Sequence, residues 1–198
     1  RHYVLGNHDL LKLEKDQFVE HCGAKKPYYS FDQQEYHFVI LDACFNPDNL
    51  NYKAGIFNWT ESYVSKEELA WLEADLRQTS YPTVIFAHQR LDDENSRYGV
   101  KNAPVVRNIL QQSQVVMAVL QGHNHIWDYR AISGIHYFSL LALVEGARLE
   151  NNAYSTLSLH KDRHIVLHGQ GSNSPFRHLI SVDPISQQLT SWSEIKSE

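Results

Sequence analysis

The chain has 198 residues, with 42% apolar and 21% charged side chains, four Trp and eleven Tyr. That is enough to bury a core, and it excludes a disordered tail or a coiled coil. A net charge of -5 without any Lys/Arg block excludes extended nucleic acid as a partner, and no apolar run is long enough to span a membrane. Twelve His in a chain of this length point to metal or proton chemistry.

In chain order, Tyr3-Val4-Leu5 reads as the tail of a strand that runs into Gly6-Asn7-His8-Asp9. Leu10, Leu11, Leu13 and Phe18 follow on a rough helical face that Gly23 and Pro27 close. Tyr36 to Asp42 is a run of strand formers, and residues 45 to 63 form a long loop rich in turn chemistry and aromatics. Ser65-Lys66-Glu67-Glu68 spells a capping box, with Leu69, Leu72 and Leu76 on one stripe behind it. Thr83 to Ala87 is an apolar strand that runs into His88, and Asn102 with Pro104 opens a helix carrying Val105, Val106, Ile109 and Leu110. Val115 to Leu120 is a further buried strand, ending at Gly122-His123-Asn124-His125.

This order predicts a parallel sheet with crossover helices. After residue 129 the pattern changes to short strands at 135–141, 153–159 and 164–168, read as antiparallel, the last two joined through Lys161-Asp162-Arg163. The stretch 171–198 is polar, with a short strand around Leu179 to Val182, and is set apart as an extension to a domain spanning 1–170. Cys22 and Cys44 form no motif and read as small apolar residues.

Three clusters follow predicted parallel strands: Asn7-His8-Asp9, His88, and His123 with His125. Strand ends on that edge are where open α/β sheets bind ligands. Imidazoles with an Asn carbonyl form a mixed N/O donor set suited to Mn, Fe or Zn. Gly6 and Gly122 are expected to permit the tight turns that bring these side chains together. Taken singly, each cluster is an ordinary turn or a packed His. Their shared placement at one sheet edge makes them a candidate site.

GNHD, a His after an apolar strand, and GHNH together resemble the later part of the calcineurin-like metallophosphoesterase signature, DxH, GDxxD, GNH(D/E), H, GHxH. The resemblance spans residues 1 to about 170. It implies an α/β two-sheet sandwich flanked by helices, here without its first βαβ segment, and two divalent or trivalent metal ions. It also implies that Asn7, His88 and His123 ligate one metal and His125 the other, that His8 stands by the leaving group, and that Asp9 orients His8. The implied reaction is hydrolysis of a small phosphorylated substrate, a mono-, di- or pyrophosphate ester, by a metal-activated hydroxide. Arg90 and Arg97 are candidates to clamp phosphate oxygens. Tyr28, Trp59, Tyr98 and Trp127 are candidates to stack on a base or line an apolar pocket. Within the family, Asn58-Trp59 through the Ser65 helix, Glu145 and Asn151-Asn152 are similar to bacterial alkaline-phosphatase-like members and to manganese-dependent ADP-ribose/CDP-alcohol diphosphatases.

No Gly is followed by Asp, so GDxxD is absent, and Asp162-Arg163-His164 spells DxH only in a predicted turn after GHNH. Two expectations follow. Arg1 in place of Met points to an upstream segment that completes the site; alternatively, the chain is a catalytically impaired metal-binding or interaction module that holds one metal or none. Nothing in the composition selects a compartment or an oligomeric state.

Overall fold

The structure, a computed structural model, describes residues 1–144, 152–160, 164–170 and 177–181. A 3-10 turn at Asp9–Leu11 leads to α1 (Lys15–Cys22), then the hairpin β1 (Tyr29–Gln33) and β2 (Tyr36–Ile40). Next come α2 (Lys66–Gln78), β3 (Thr83–Phe86), α3 (Ala103–Ser113) and β4 (Val116–Gln121). They are followed by β5 (Asp128–Ile132), β6 (Ile135–Ser139), β7 (Tyr154–Leu159), β8 (His164–Gln170) and β9 (Arg177–Ser181). Six strands form one sheet in the order β1-β2-β3-β4-β6-β5, and β7-β8-β9 form a second. Strands β2, β3, β4 and β6 are parallel, while β1 and β5 close the two edges antiparallel.

Strand alternation sorts the large sheet into two faces. Val39, Ile85, Val119 and Tyr137 lie in register across four strands and pack with Leu72 and Leu76 of α2 and Val106 and Leu110 of α3. The neighbouring row of Phe38, Val84 and Ala118, with Phe86, Leu120 and Phe138, packs on Leu157 and Leu159 of β7 and Ile165 and Leu167 of β8. The result is helices on one face and the small sheet on the other, the expected sandwich. Each fully buried Leu in these layers contributes about 1.5–3 kcal/mol.

Several sequence expectations shift in detail. Tyr3 to Leu5 is not a strand; it is irregular chain whose Leu5 is buried with Leu10, Phe18, Cys44 and Tyr52. The helix expected from Leu10 to Phe18 splits in two, because Glu14 forms its own capping box with Gln17 and restarts the helix, which Gly23 ends in the left-handed region. The strand near 135, read as antiparallel, is antiparallel to β5 on one side and parallel to β4 on the other, and so belongs to the large sheet. Asn102 is the N-cap residue of α3, as expected, but its amide makes no cap bond and pairs instead with both backbone groups of Val64, at 3.0 and 2.8 Å. The strand near 179 is β9, paired with β8, so the stretch after 171 contributes to the second sheet. Glu145, Asn151, Val182 and the turn Lys161-Asp162-Arg163 lie outside the described residues.

Half of the Ser65 capping box forms, with the Ser65 hydroxyl accepting from Glu68 N at 3.1 Å. The Glu68 carboxylate turns inward and accepts from Asp42 N at 2.8 Å. Asp42 is fully buried beside Lys15, its Oδ2 2.5 Å from the ammonium, and its Oδ1 accepts from Cys44 N. Burial, then the charge of Asp42, push the Glu68 pKa well above the usual carboxyl range. Lys15→Met leaves Asp42 without its cation and is expected to cost about 3–5 kcal/mol in urea denaturation. Glu68 binds its proton more tightly folded than unfolded, so wild-type stability declines as pH rises above the unfolded value of 4.5. Glu68→Gln is therefore expected to melt higher than wild type near neutral pH, with the gap closing below 4.5; an equal gap at both pH values would show that Glu68 folds ionised.

Candidate functional site

His88 directly follows Ala87, whose N–H bonds Leu120 O, so the end of β3 is laced to β4. Gly122 N donates to His88 O at 2.9 Å, which sets the two strand ends side by side. Asn124 N then donates to Gly122 O with His123 between them at φ +72°. This is a γ-turn of the strained, positive-φ kind. His125 is also left-handed, at φ +58°. The expected turn glycine thus does not carry the strain of this loop; the two His residues do, as is common where geometry serves a site.

His88 Nε2 lies 3.0 Å from Asn7 Oδ1 and 3.1 Å from His123 Nδ1. Three lone-pair-bearing atoms thus converge, and His88 Nε2 carries at most one proton between them. The other His123 nitrogen, Nε2, is buried with no hydrogen-bond partner among the described residues. Burial, then neighbouring His123, His8 and His125, lower the His88 pKa to about 3; burial, then His125 and His8, lower His123 to about 4. Both rings are neutral at physiological pH, the form that ligates metal.

Asn7, His8, His123 and His125 line a cavity of about 440 Å³ together with Leu11, Phe57, Trp59, Arg97, Tyr98 and Asn124. Trp59 and Tyr98 stack on each other and both meet the His123 ring edge-on, at 5.4 and 5.5 Å. The Arg97 guanidinium lies 4.5 Å over Trp59 and has no carboxylate partner among the described residues. His123 and His125 also line a second cavity of about 260 Å³ beside Leu120 and Leu140.

Of the residues singled out in sequence, Asn7, His88 and His123 touch, and His8, His125, Trp59, Arg97 and Tyr98 share their cavity. Arg90 is placed elsewhere: it is buried, paired with Asp92 and Asp128 at 2.7 Å each, and so is committed within the protein instead of clamping phosphate. The Asp9 carboxylate accepts from Gly6 N at 2.8 Å and folds the GNHD turn, its one side-chain hydrogen bond among the described residues. Tyr28 packs on Trp71 and Trp127 on Phe138, away from the cavity. Leu11 and Phe57 were not identified in sequence, since apolar residues in a loop carry no chemical signal. Asn124 stood inside the GHNH motif.

The donor set suits a metal. Donors held at about 2.1 Å around one ion stand about 3.0–3.4 Å apart, and His88 Nε2 already stands at that spacing from both the Asn7 and the His123 atom. Counting only His, Cys, Asp and Glu, no group of three or more among the described residues could hold a metal; the Asn7 amide completes this set.

Comparison with known proteins bears on the fold. No protein-family profile matches the chain, and no curated protein matches it in sequence. Among solved structures, a dimetal phosphatase from Danio rerio superposes with a TM-score of 0.73 at 19% identity, covering 91% of this chain and 72% of that one. The chain has that phosphatase's fold. A phosphopantetheinyl hydrolase from Mycobacterium tuberculosis aligns over 70% of this chain and 68% of its own at 17% identity, with a TM-score of 0.43.

Gly6 shapes the site by what it lacks. A Cβ there would sit 3.0–3.1 Å from three atoms of the His88 ring, and that ring is held by Asn7 and His123. Gly6→Ala is expected to cost about 1–3 kcal/mol and to shift the His88 imidazole nitrogen resonances. Wild-type stability with an unchanged spectrum would show that the ring yields freely.

Proposed function

We propose that the chain is a metal-dependent phosphoester hydrolase in which Asn7, His88 and His123 hold one metal ion and His125 contributes to a second. The observation that carries this reading is the convergence of three neutral donor atoms at one sheet edge, with a buried His123 nitrogen left unpartnered beside them. The fold shared with a dimetal phosphatase supports it. When bound, divalent ions of this kind activate water and neutralise charge on a phosphoryl group.

The chain's own residues supply the rest. Arg97, exposed and without an ion pair among the described residues, is the guanidinium available to a phosphoryl oxygen, held at the rim by its stack on Trp59. His8 is exposed on the same wall and is the imidazole that would give a proton to the departing oxygen. Leu11, Phe57, Trp59 and Tyr98 exclude water from one side and accept the apolar part of a small phosphorylated substrate. Among the described residues no carboxylate lines the cavity, so an anionic ester meets no like charge there. A mixed imidazole and amide set suits Mn, Fe or Zn.

Hydrolysis of a chromogenic phosphodiester in added Mn²⁺ tests the reading. Wild type is expected to need the metal and to lose activity with chelator, and His88→Ala to lose on the order of 10²–10³-fold together with bound metal. Hydrolysis indifferent to chelator would sink the proposal, and metal binding without hydrolysis would mark an impaired module.

A further inference from the structure

A buried polar network that the proposed chemistry does not use joins the chain segments next to His88 and His123. Gln121 ends β4 two residues before His123, and Leu91 and Asp92 follow His88 on the neighbouring loop. The Gln121 amide spans the gap: Oε1 accepts from Leu91 N at 2.8 Å, and Nε2 donates to Asp92 Oδ1 at 2.6 Å and to Ser139 Oγ at 3.1 Å. Asp92 in turn accepts from Arg90 Nε and Nη2 at 2.8 and 2.7 Å, and the same Nη2 reaches Asp128 on β5 at 2.7 Å. Arg90 also pairs through its backbone with Tyr98 O and Val100 N, fixing the start of the loop that carries Arg97 and Tyr98.

Gln121, Asp92 and Arg90 are 2%, 6% and 6% exposed. A buried ionic network gains little over apolar side chains of the same volume, so stability alone does not account for it. Directional bonds, by contrast, fix one loop against another. Neither Arg90, Asp92 nor Asp128 lines the cavities beside His123, so these groups can act only through the residues they hold. We propose that Gln121, braced by Asp92 and Arg90, is a positioning residue that sets the separation of His88 and His123. For its metal consequence this inference rests on the proposed function.

Gln121→Met keeps the volume and removes all three bonds; Leu110→Val, on the buried face of α3 against the sheet, serves as a matched destabilised control. Imidazole nitrogen resonances of metal-free protein and the Mn²⁺ dissociation constant are measured for each. His88 and His123 resonances are expected to move in Gln121→Met and to stay in Leu110→Val, and Mn²⁺ binding is expected to weaken about 10–100-fold. Wild-type resonances in a Gln121→Met protein that merely melts earlier would overturn the proposal. If Gln121→Met does not fold, Ser139→Ala, which removes one partner of the amide, is read by the same standard: moved resonances support the proposal and unmoved ones overturn it. Wild-type protein that binds no Mn²⁺ would overturn the proposed function while the resonances still decide the role of Gln121.

Discussion

The buried pair of Lys15 and Asp42 is the constraint on which the site's geometry depends. Residues 1 to 14 form no strand, yet Asn7 must reach a ring at the end of β3. Asp42 lies just past β2, and Lys15 opens α1, so their 2.5 Å contact joins the N-terminal stretch to the sheet edge that carries His88. Gly55 N to Leu10 O and Ala54 N to Glu14 Oε1 extend that attachment, and Leu5, Leu10 and Phe18 bury against Cys44 and Tyr52. A buried charge holds only where its remaining bonds are met. Asp42 meets this through Cys44 N, and its own N–H is taken by Glu68. Burial raises the pKa of Glu68, which leaves one cation facing one carboxylate.

Two arginines seven residues apart show how context divides one chemistry. Arg90 meets Asp92 and Asp128 within a chain turn and a strand, and its guanidinium is consumed. Arg97 meets the face of Trp59 instead, a contact that orients the guanidinium without neutralising it. The loop between them is folded by Arg90 N to Tyr98 O and Gly99 N to Ser96 O, so the structural arginine presents the one facing the cavity.

The legible parts of the fold were those whose signal is local. β3 and β4 stood out because both faces are buried and their sequences are continuously apolar, and His88 and the cluster at 123–125 stood out because they follow such strands, whereas the cluster at 7–9 stood out by its residues alone and follows irregular chain. β1 escaped notice because its half-exposed Tyr29 to Gln33 shows no clean alternation. It is pinned instead by its register with β2 and by a two-residue turn in which Gln34 and Glu35 both take positive φ, without the glycine that usually marks such turns. The pairing of β6 with β4 was hidden because a short amphipathic strand carries no label for the sheet it joins. Arg90 looked like a phosphate ligand for the same reason: Asp128, which claims it, is 38 residues away.

Charge placement bears on the anionic substrate proposed for this edge of the sheet, on a chain whose net charge is -5. Asp9 is bound to Gly6 N, Asp42 to Lys15, and Asp92 and Asp128 to Arg90. Each carboxylate near the convergent rings is therefore turned toward a donor within the protein. The polar groups that remain facing the cavity are two amides, three imidazoles, the Tyr98 hydroxyl, the Trp59 indole and the guanidinium of Arg97. In the proposed metal site, ligands without charge would leave the charge of a cation uncancelled, and Trp59 and Tyr98, edge-on to His123, would limit the water that screens it. Burial lowers the pKa of His88 and of His123 and so keeps both rings neutral, with lone pairs to donate. Among the described residues, the carboxylates all lie outside the cavity lining.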